Sequence, residues 1–388
     1  MEPKPTQAFG GSRRNHTKTR HGCAQCKSSH VKCDLVHPRC GKCVKTGKKC
    51  QFQQQHELSS GAPTPPKTSP SQHSASTPPG LTDHLTADLI SQDDLELLHH
   101  FLTDTANTLA EREDLQQMWK TVIPKLAMKQ RFLMHLIFSV TALHIASSDA
   151  EKRSLYVDRA LGHHNIALPY FRSQWHTATQ DNVTSLFIGA TLIFASSLNL
   201  AILRPPAESQ TWVVDEILGI FMLLRGIPLV FGDSWERATE SDIALLFTGR
   251  VPDESVCLPA DVAEALETLR RSDQLSSQTI DRETYLLAID VLEKTFKVRV
   301  TEGQDFGLVF EWPIHVSKEY ICLLSCRRSM ALVILAYYAV VLHGLRDKWW
   351  VSGWGIKLVR EIYLIVDDEC KILMAWPLKK ILLPYESI

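Results

Sequence analysis

The chain has 388 residues, 44% of them hydrophobic and 22% charged, with a formal net charge of −1. That length supports a substantial core, and the opening MEPKPTQAFGGSRRN holds no apolar stretch, so neither secretion nor a disulfide framework is expected. The near-neutral total hides an asymmetry: residues 1–56 carry 12 Lys and Arg against Glu2 and Asp34, while the remainder holds 30 basic and 41 acidic residues. A basic module on an acidic body is the footprint of a phosphate-binding domain, which makes nucleic acid the expected partner.

In chain order, residues 1–18 read as a basic disordered arm. Six cysteines follow at 23, 26, 33, 40, 43 and 50, with 2, 6, 6, 2 and 6 residues between them. The second three repeat the rhythm of the first: Cys-x-x-Cys, six residues, Cys. Ordinary buried cysteines do not cluster in a stretch nearly free of Leu, Ile and Phe. Four thiolates saturate one tetrahedral zinc. Six are too many for one zinc and too few for two, unless two sulfurs bridge; if Cys23 and Cys40 each touch both metals, six ligands fill eight positions. A phosphate-cradling Walker loop is excluded, because Gly41 and Gly47-Lys48 bracket five residues instead of four.

The run CAQCKSSHVKCDLVHPRCGKCVKTGKKC resembles the zinc binuclear cluster of fungal transcription regulators at all six cysteine positions. The resemblance implies a small DNA-binding domain over residues 19–52 with two zinc ions per chain, bridging roles for Cys23 and Cys40, two short helices that each begin at a Cys-x-x-Cys pair, and a loop containing Pro38. It implies that double-stranded DNA is the partner and that CGG-type triplets are read in the major groove. In the family, the six residues between the second and third cysteines form the helix that meets the base edges. Here Lys27, His30 and Lys32 are the expected base contacts. Ser29 and His30 stand where further basic residues are common, so a departure from the usual triplet or a lower affinity is expected. Arg13, Arg14, Lys18, Arg20, Arg39, Lys42, Lys45, Lys48 and Lys49 are the expected phosphate contacts, which position without specifying sequence.

Beyond Cys50 the composition turns to Gln, Ser, Thr and Pro. Residues 53–83 cannot bury enough apolar surface to offset their ordering entropy and are expected to form a disordered linker. No apolar heptads follow the cysteines, so a homodimer, if formed, is expected through the larger domain.

From 84 to 388 the periodicity is helical, and an all-α regulatory domain is expected. Asp93 and Asp94 sit where the dipole of a starting helix favours acids. Phe132, Leu133, Leu136, Ile137, Val140 and Leu143 recur at steps of three and four. Asp181 precedes an apolar helix stopped by Pro205-Pro206. A helix over 215–224 is expected to end at Gly226 and Pro228, and another over 329–345 at Gly344. The stretches 186–203 and 330–345 are apolar enough to suggest membrane spans. They read instead as central helices of a large domain, and no membrane is expected.

The segments His164-Asn165-Ile166-Ala167-Leu168-Pro169-Tyr170-Phe171-Arg172, Leu224-Arg225-Gly226-Ile227 and Ala331-Leu332-Val333-Ile334-Leu335-Ala336-Tyr337-Tyr338, with Trp349-Trp350 and Trp376-Pro377, resemble the C-terminal domain of sterol-uptake-control-type regulators. That likeness implies a helical regulatory domain able to dimerise and to hold a hydrophobic small molecule; the residues that would line such a site are not legible. No nucleophile elbow, HExxH motif or dinucleotide fingerprint is present, so no catalytic residue and no enzyme is expected. The adjacent pairs His99-His100 and His163-His164 point about 100° apart on a helix and do not chelate together. Cys322 and Cys326, one turn apart on a helical face, have the spacing for a metal or redox pair, but read in the first place as small core residues. The expected protein is a nuclear, sequence-specific regulator at RNA polymerase II promoters, an activator of a fungal secondary-metabolite gene cluster or of sterol or lipid genes. The alternative is a zinc-dependent interaction protein or repressor with weakened sequence readout.

Overall fold

The computed structural model describes residues 23–29, 31, 33–34, 39–48, 50, 90–175, 177, 179, 182–203, 213–231, 242–247, 256–272, 279–301 and 306–383. The expected basic arm and linker, Pro38, Asp181 and Pro205-Pro206 lie outside them. The chain divides into two compact units, Met1–Pro79 and Gly80–Ile388. No strand occurs among the described residues, and the large unit is helical, as the periodicity predicts.

The first unit contains two five-residue helices, α1 (Ala24–Ser28) and α2 (Gly41–Lys45). The second opens with α3 (Gln92–His100). Ser91 and Asp94 cap it reciprocally: the Asp94 N–H donates to Ser91 Oγ at 3.1 Å, and the Ser91 N–H donates to Asp94 Oδ2 at 2.8 Å. Asp94 also meets His163 Nε2 at 3.2 Å, and His163 Nδ1 lies 3.1 Å from His135 Nδ1. One member of each histidine doublet thus turns toward another helix: His163 to His135, and His100 to His144 with ring centroids 5.4 Å apart. Burial lowers the pKa of His163 against the pull of Asp94, and takes that of His144 down to about 4.

Next come α4 (Glu113–Ala127), α5 (Arg131–Ser148), α6 (Arg153–Trp175) and α7 (Val183–Leu203). The helices α5 and α7 are long and apolar enough to cross a membrane, yet α5 packs along α6 and against α7, and most of both is buried inside the protein. A helix apolar all round is what a central position requires. The one strongly polar side chain buried in α7, Asn199, donates to Trp349 O at 2.9 Å and to Ser147 Oγ at 3.1 Å.

The helix α8 (Val213–Phe231) runs through Gly226 and Pro228, where the sequence predicted its end. An interior proline costs about 3 kcal/mol, and tertiary contacts outweigh that here. Glu361 accepts the Val213 and Val214 N–H groups at 2.8 and 2.9 Å, which caps the start. Arg225 Nη1 donates to the carbonyls of Pro313, Ile314 and Val316 at 2.8, 3.2 and 2.7 Å. Phe221, Leu224 and Ile227 are buried.

The remaining helices are α9 (Ala260–Arg271), α10 (Thr279–Val300), α11 (Glu311–His315), α12 (Lys318–Ser325), α13 (Ser329–His343), α14 (Trp354–Ile365), α15 (Asp368–Lys371) and α16 (Ala375–Leu382). The core centres on α13, twelve of whose fifteen residues are buried. Its aromatic surroundings keep their polar tips satisfied. Tyr337 OH donates to Leu373 O, Tyr338 OH to Val309 O, Tyr320 OH to Ala331 O, and Trp312 Nε1 to Ala288 O. Tyr338 also stacks on Trp312 at 4.3 Å. Cys322 and Cys326, expected in the core, are exposed: they lie on the outer side of α12, away from buried Tyr320 and Leu324.

Close approach of α14 to α13 depends on Gly355, where a Cβ would stand 2.8 Å from Ala339 O and 2.7 Å from His343 Cβ. Gly355→Ala should therefore force the helices apart and cost about 1–3 kcal/mol. A lowered thermal midpoint with zinc content unchanged is the expected readout.

Candidate metal centre and nucleic-acid face

A five-residue helix has no stability of its own, and α1 and α2 are built alike around a sulfur. In each, the first cysteine of Cys-x-x-Cys is the N-cap with extended backbone (φ −61°, ψ 155° at Cys23; φ −67°, ψ 150° at Cys40). Its Sγ accepts the N–H of the second cysteine, Cys26 or Cys43, at 3.4 Å. The sulfur occupies the place a Ser or Asp oxygen takes in an ordinary cap. The two-residue spacing brings the second thiol round to the same side.

The two halves then face each other. Cys23 Sγ lies 3.7 Å from both Cys40 and Cys43 Sγ, and Cys26 Sγ lies 3.6 Å from Cys40 Sγ. The Cys40 N–H donates to Cys50 Sγ at 3.3 Å. Five of the six cysteines are buried, Cys50 is half-buried, and none of the ten cysteines of the chain is in a disulfide. Burial opposes ionisation of Cys23, but the Cys26 N–H and the neighbouring sulfurs bring its thiol below the ordinary range. The Cys43 N–H does the same for Cys40. Burial pushes Cys26 up, and Cys43 up to about 12. A cation held by all of them must therefore displace protons.

The donor set fits zinc. Tetrahedral Zn–S bonds of about 2.3 Å place sulfurs about 3.8 Å apart, close to the distances found. Cys23, Cys26, Cys40 and Cys43 offer four sulfurs within 4.8 Å of one another, and a second group, Cys33, Asp34 and Cys40, shares Cys40 with the first.

Of the expected DNA contacts, Lys27, Arg39, Lys42, Lys45 and Lys48 are all exposed. Lys27 stands in the last turn of α1, and Arg39 Nη2 donates to Lys48 O at 3.2 Å. His30, Lys32, Arg13, Arg14, Lys18, Arg20 and Lys49 lie outside the described residues. The helix expected over 27–32 instead ends at Ser28. Ser29 caps it with its N–H on Gln25 O at 3.1 Å, and the Val31 N–H closes on Cys26 O at 3.1 Å. Among the described residues of the 27–32 stretch only Lys27 and Ser28 are helical, because the chain turns early to bring Cys33 back to the other thiols.

Asp34 was not singled out by the sequence reading. Its Oδ2 accepts the Gly41 N–H at 2.9 Å, which ties the segment after Cys33 to the first turn of α2. A Cβ at Gly41 would come within 2.6 Å of that oxygen. The available signal was electrostatic: Asp34 is one of two acids among twelve bases in residues 1–56. Asp34→Ala and Gly41→Ala should each speed zinc release to a chelator by about two- to tenfold, the factor one net hydrogen bond carries. Asp34→Asn, which keeps an acceptor, should stay nearer the parent.

Comparison with known proteins agrees with this geometry. Residues 21–59 match the fungal Zn(2)-Cys(6) binuclear cluster domain, and residues 96–236 match the fungal specific transcription factor domain. A Zn(2)-C6 fungal-type transcription factor of Gibberella zeae is 26% identical over 97% of this chain and 88% of its own length. The Zn(2)-C6 fungal-type transcription factor afumD of Aspergillus fumigatus is 27% identical over 41% of this chain and 42% of its own length. Sterol uptake control protein 2 of Saccharomyces cerevisiae is 22% identical over 67% of this chain and 29% of its own length. With a cysteine-rich module of two sulfur-capped helices and a large helical unit, the chain carries a Zn(2)-Cys(6) binuclear cluster domain, which binds two zinc ions, and a fungal specific transcription factor domain, and it is similar to Zn(2)-C6 fungal-type transcription factors, which are DNA-binding regulators and not enzymes.

Proposed function

We propose that this chain is a nuclear, pathway-specific regulator that reads a promoter sequence through its zinc cluster and governs genes of a fungal secondary-metabolite or sterol and lipid pathway. The observation that carries the reading is the pairing of a six-cysteine centre, five of its thiols buried, with exposed lysines on the helices it holds. In this reading Cys23, Cys26, Cys33, Cys40, Cys43 and Cys50 ligate the two zinc ions, with Cys23 and Cys40 bridging. Metal supplies the charge and cross-linking that an apolar core would otherwise provide. Lys27 reaches base edges together with His30 and Lys32. Arg39, Lys42, Lys45, Lys48 and Lys49 contact phosphates, as do Arg13, Arg14, Lys18 and Arg20 of the arm.

The pathway assignment draws on relatives named for sterol uptake control and on a Zn(2)-C6 factor of a filamentous fungus. Residues 84–388 serve regulation and self-association in this reading, and a hydrophobic small molecule is its candidate effector. A cleft of about 290 Å³ at α3 is lined by Asp93, Glu96, Leu97, His99, His100, Ile145, Tyr156 and Arg159. Six of those eight are polar or charged, so the proposed effector is not assigned to it.

Ser29, exposed at the end of α1 where the family usually places a basic residue, favours one second reading, weakened base readout. Mapping of bound promoters in cells, with transcript levels after deletion, separates them. Enrichment at one motif with falling target transcripts supports the activator. Rising transcripts, or even binding to all duplexes, refutes it.

Metal analysis of the purified chain should give two zinc ions, and stripping them should abolish duplex binding; a count of one would end the binuclear assignment. Lys27→Ala should lose about 1–3 kcal/mol on the preferred site and relax sequence preference. Lys48→Ala should weaken all duplexes evenly and reduce the salt slope by about 1, measured by titration at several salt concentrations.

A further inference from the structure

Cys322 and Cys326 stand one turn apart on α12, both exposed, with the Cys326 N–H on Cys322 O at 2.9 Å and Cys326 as the C-cap. Residues four apart on a helix share a face, so the two thiols look out side by side. The residue that follows, Arg327, has φ 55°, the only positive φ of a non-glycine among the described residues. L-residues with long side chains rarely adopt it, because Cβ crowds the following carbonyl. The corner is held from outside: Arg327 Nη2 meets Asp215 Oδ2 at 2.8 Å at the start of α8. The Arg327 and Arg328 N–H groups close on Leu324 O and Leu323 O at 3.0 Å. Here the chain bends by 105° between α12 and α13, the central helix of the core.

We propose that Cys322 and Cys326 form a reversible modification site, an exposed dithiol that a hydroperoxide closes to a disulfide, with the strained Arg327 corner as the element that responds. The thiolate of one cysteine attacks a peroxide oxygen. The O–O bond breaks, the departing alkoxide or hydroxide takes the proton released by the thiol, and the sulfur becomes a sulfenic acid. The second thiolate attacks that sulfur, the S–O bond breaks, and hydroxide leaves as water with the second thiol's proton as the S–S bond forms. Two electrons pass from the sulfur pair to the peroxide, which ends as one alcohol (or water) and one water. A dithiol reductant reverses the closure by exchange.

Geometry couples closure to the fold. Side chains four apart on a helix hold their Cβ atoms about 5–6 Å apart, whereas a disulfide holds them about 3.5–4.5 Å apart. Closure therefore opens the last turn of α12, breaks the Cys326–Cys322 backbone bond and loosens the Arg327 corner with its tie to Asp215. Such a strained bond is readily reduced, which suits a reducing compartment where disulfides are transient. Exposure sets the pair apart from the thiols of the metal centre, five of which are buried.

The test treats the zinc-loaded full chain with equimolar hydrogen peroxide, blocks free thiols, and maps the products by mass spectrometry beside hydrogen exchange and zinc content. The expected product is a peptide carrying both cysteines, unblocked and lighter by two hydrogens, restored by dithiothreitol. Exchange should rise across 318–331 while the bond is closed, with zinc retained. Cys322→Ser and Cys326→Ser should each abolish both effects, and Cys257→Ser, at another exposed thiol, should leave both intact. Blocking of both cysteines after peroxide, higher oxides without a link, zinc loss preceding the link, or a link without a change in exchange would each overturn the proposal.

Discussion

Neither α1 nor α2 is long enough to persist in water, and among the described residues of the stretch that holds them only cysteines are buried, with Val31 and Val44 exposed. What makes a structure there is a sulfur at each N-cap, accepting an N–H from the next cysteine while facing the sulfurs of the other half. The exposed Lys27, Lys42 and Lys45, which we propose as DNA contacts, ride on these two helices. Their placement is a property of the thiol centre, and a fault in the centre displaces them with it.

The large unit solves the opposite problem, an excess of apolar surface. The helices α7 and α13 are apolar on every side and sit where neighbours cover every side. Inside, aromatic rings with polar tips reach backbone carbonyls of other helices, so Trp312, Tyr320 and Tyr338 pack against one another without stranding a donor. These bonds also fix register, because a carbonyl at the wrong turn would leave a buried donor unpaired.

Spacing and period carried far in this chain. Six cysteines in a repeated rhythm define a metal site whatever surrounds them, and steps of three and four mark helices such as α5 without reference to partners. The misses share a cause: each depends on a contact made by distant residues. The helix α8 passes through Pro228 because Glu361 and three carbonyls of another segment stabilise it. Asp34 matters because Gly41 lies beside it. Cys322 and Cys326 face outward because Tyr320 and Leu324 claim the inner side of α12. The early end of α1 at Ser28 follows from the need to return Cys33 to the other thiols, a constraint that local propensity does not express.

The cap on α8 bears on where this protein can be cut. The stretch matching the fungal specific transcription factor domain ends at residue 236. Yet the first N–H groups of α8 rest on Glu361, its Arg225 rests on carbonyls at 313, 314 and 316, and Asn199 of α7 rests on Trp349 O. A fragment ending at 236 would leave a helix start and a guanidinium without these acceptors, and a buried amide with only Ser147 of its two. The matched domain is thus shorter than the cooperative unit, and excision at its edge would divide one folding body in two.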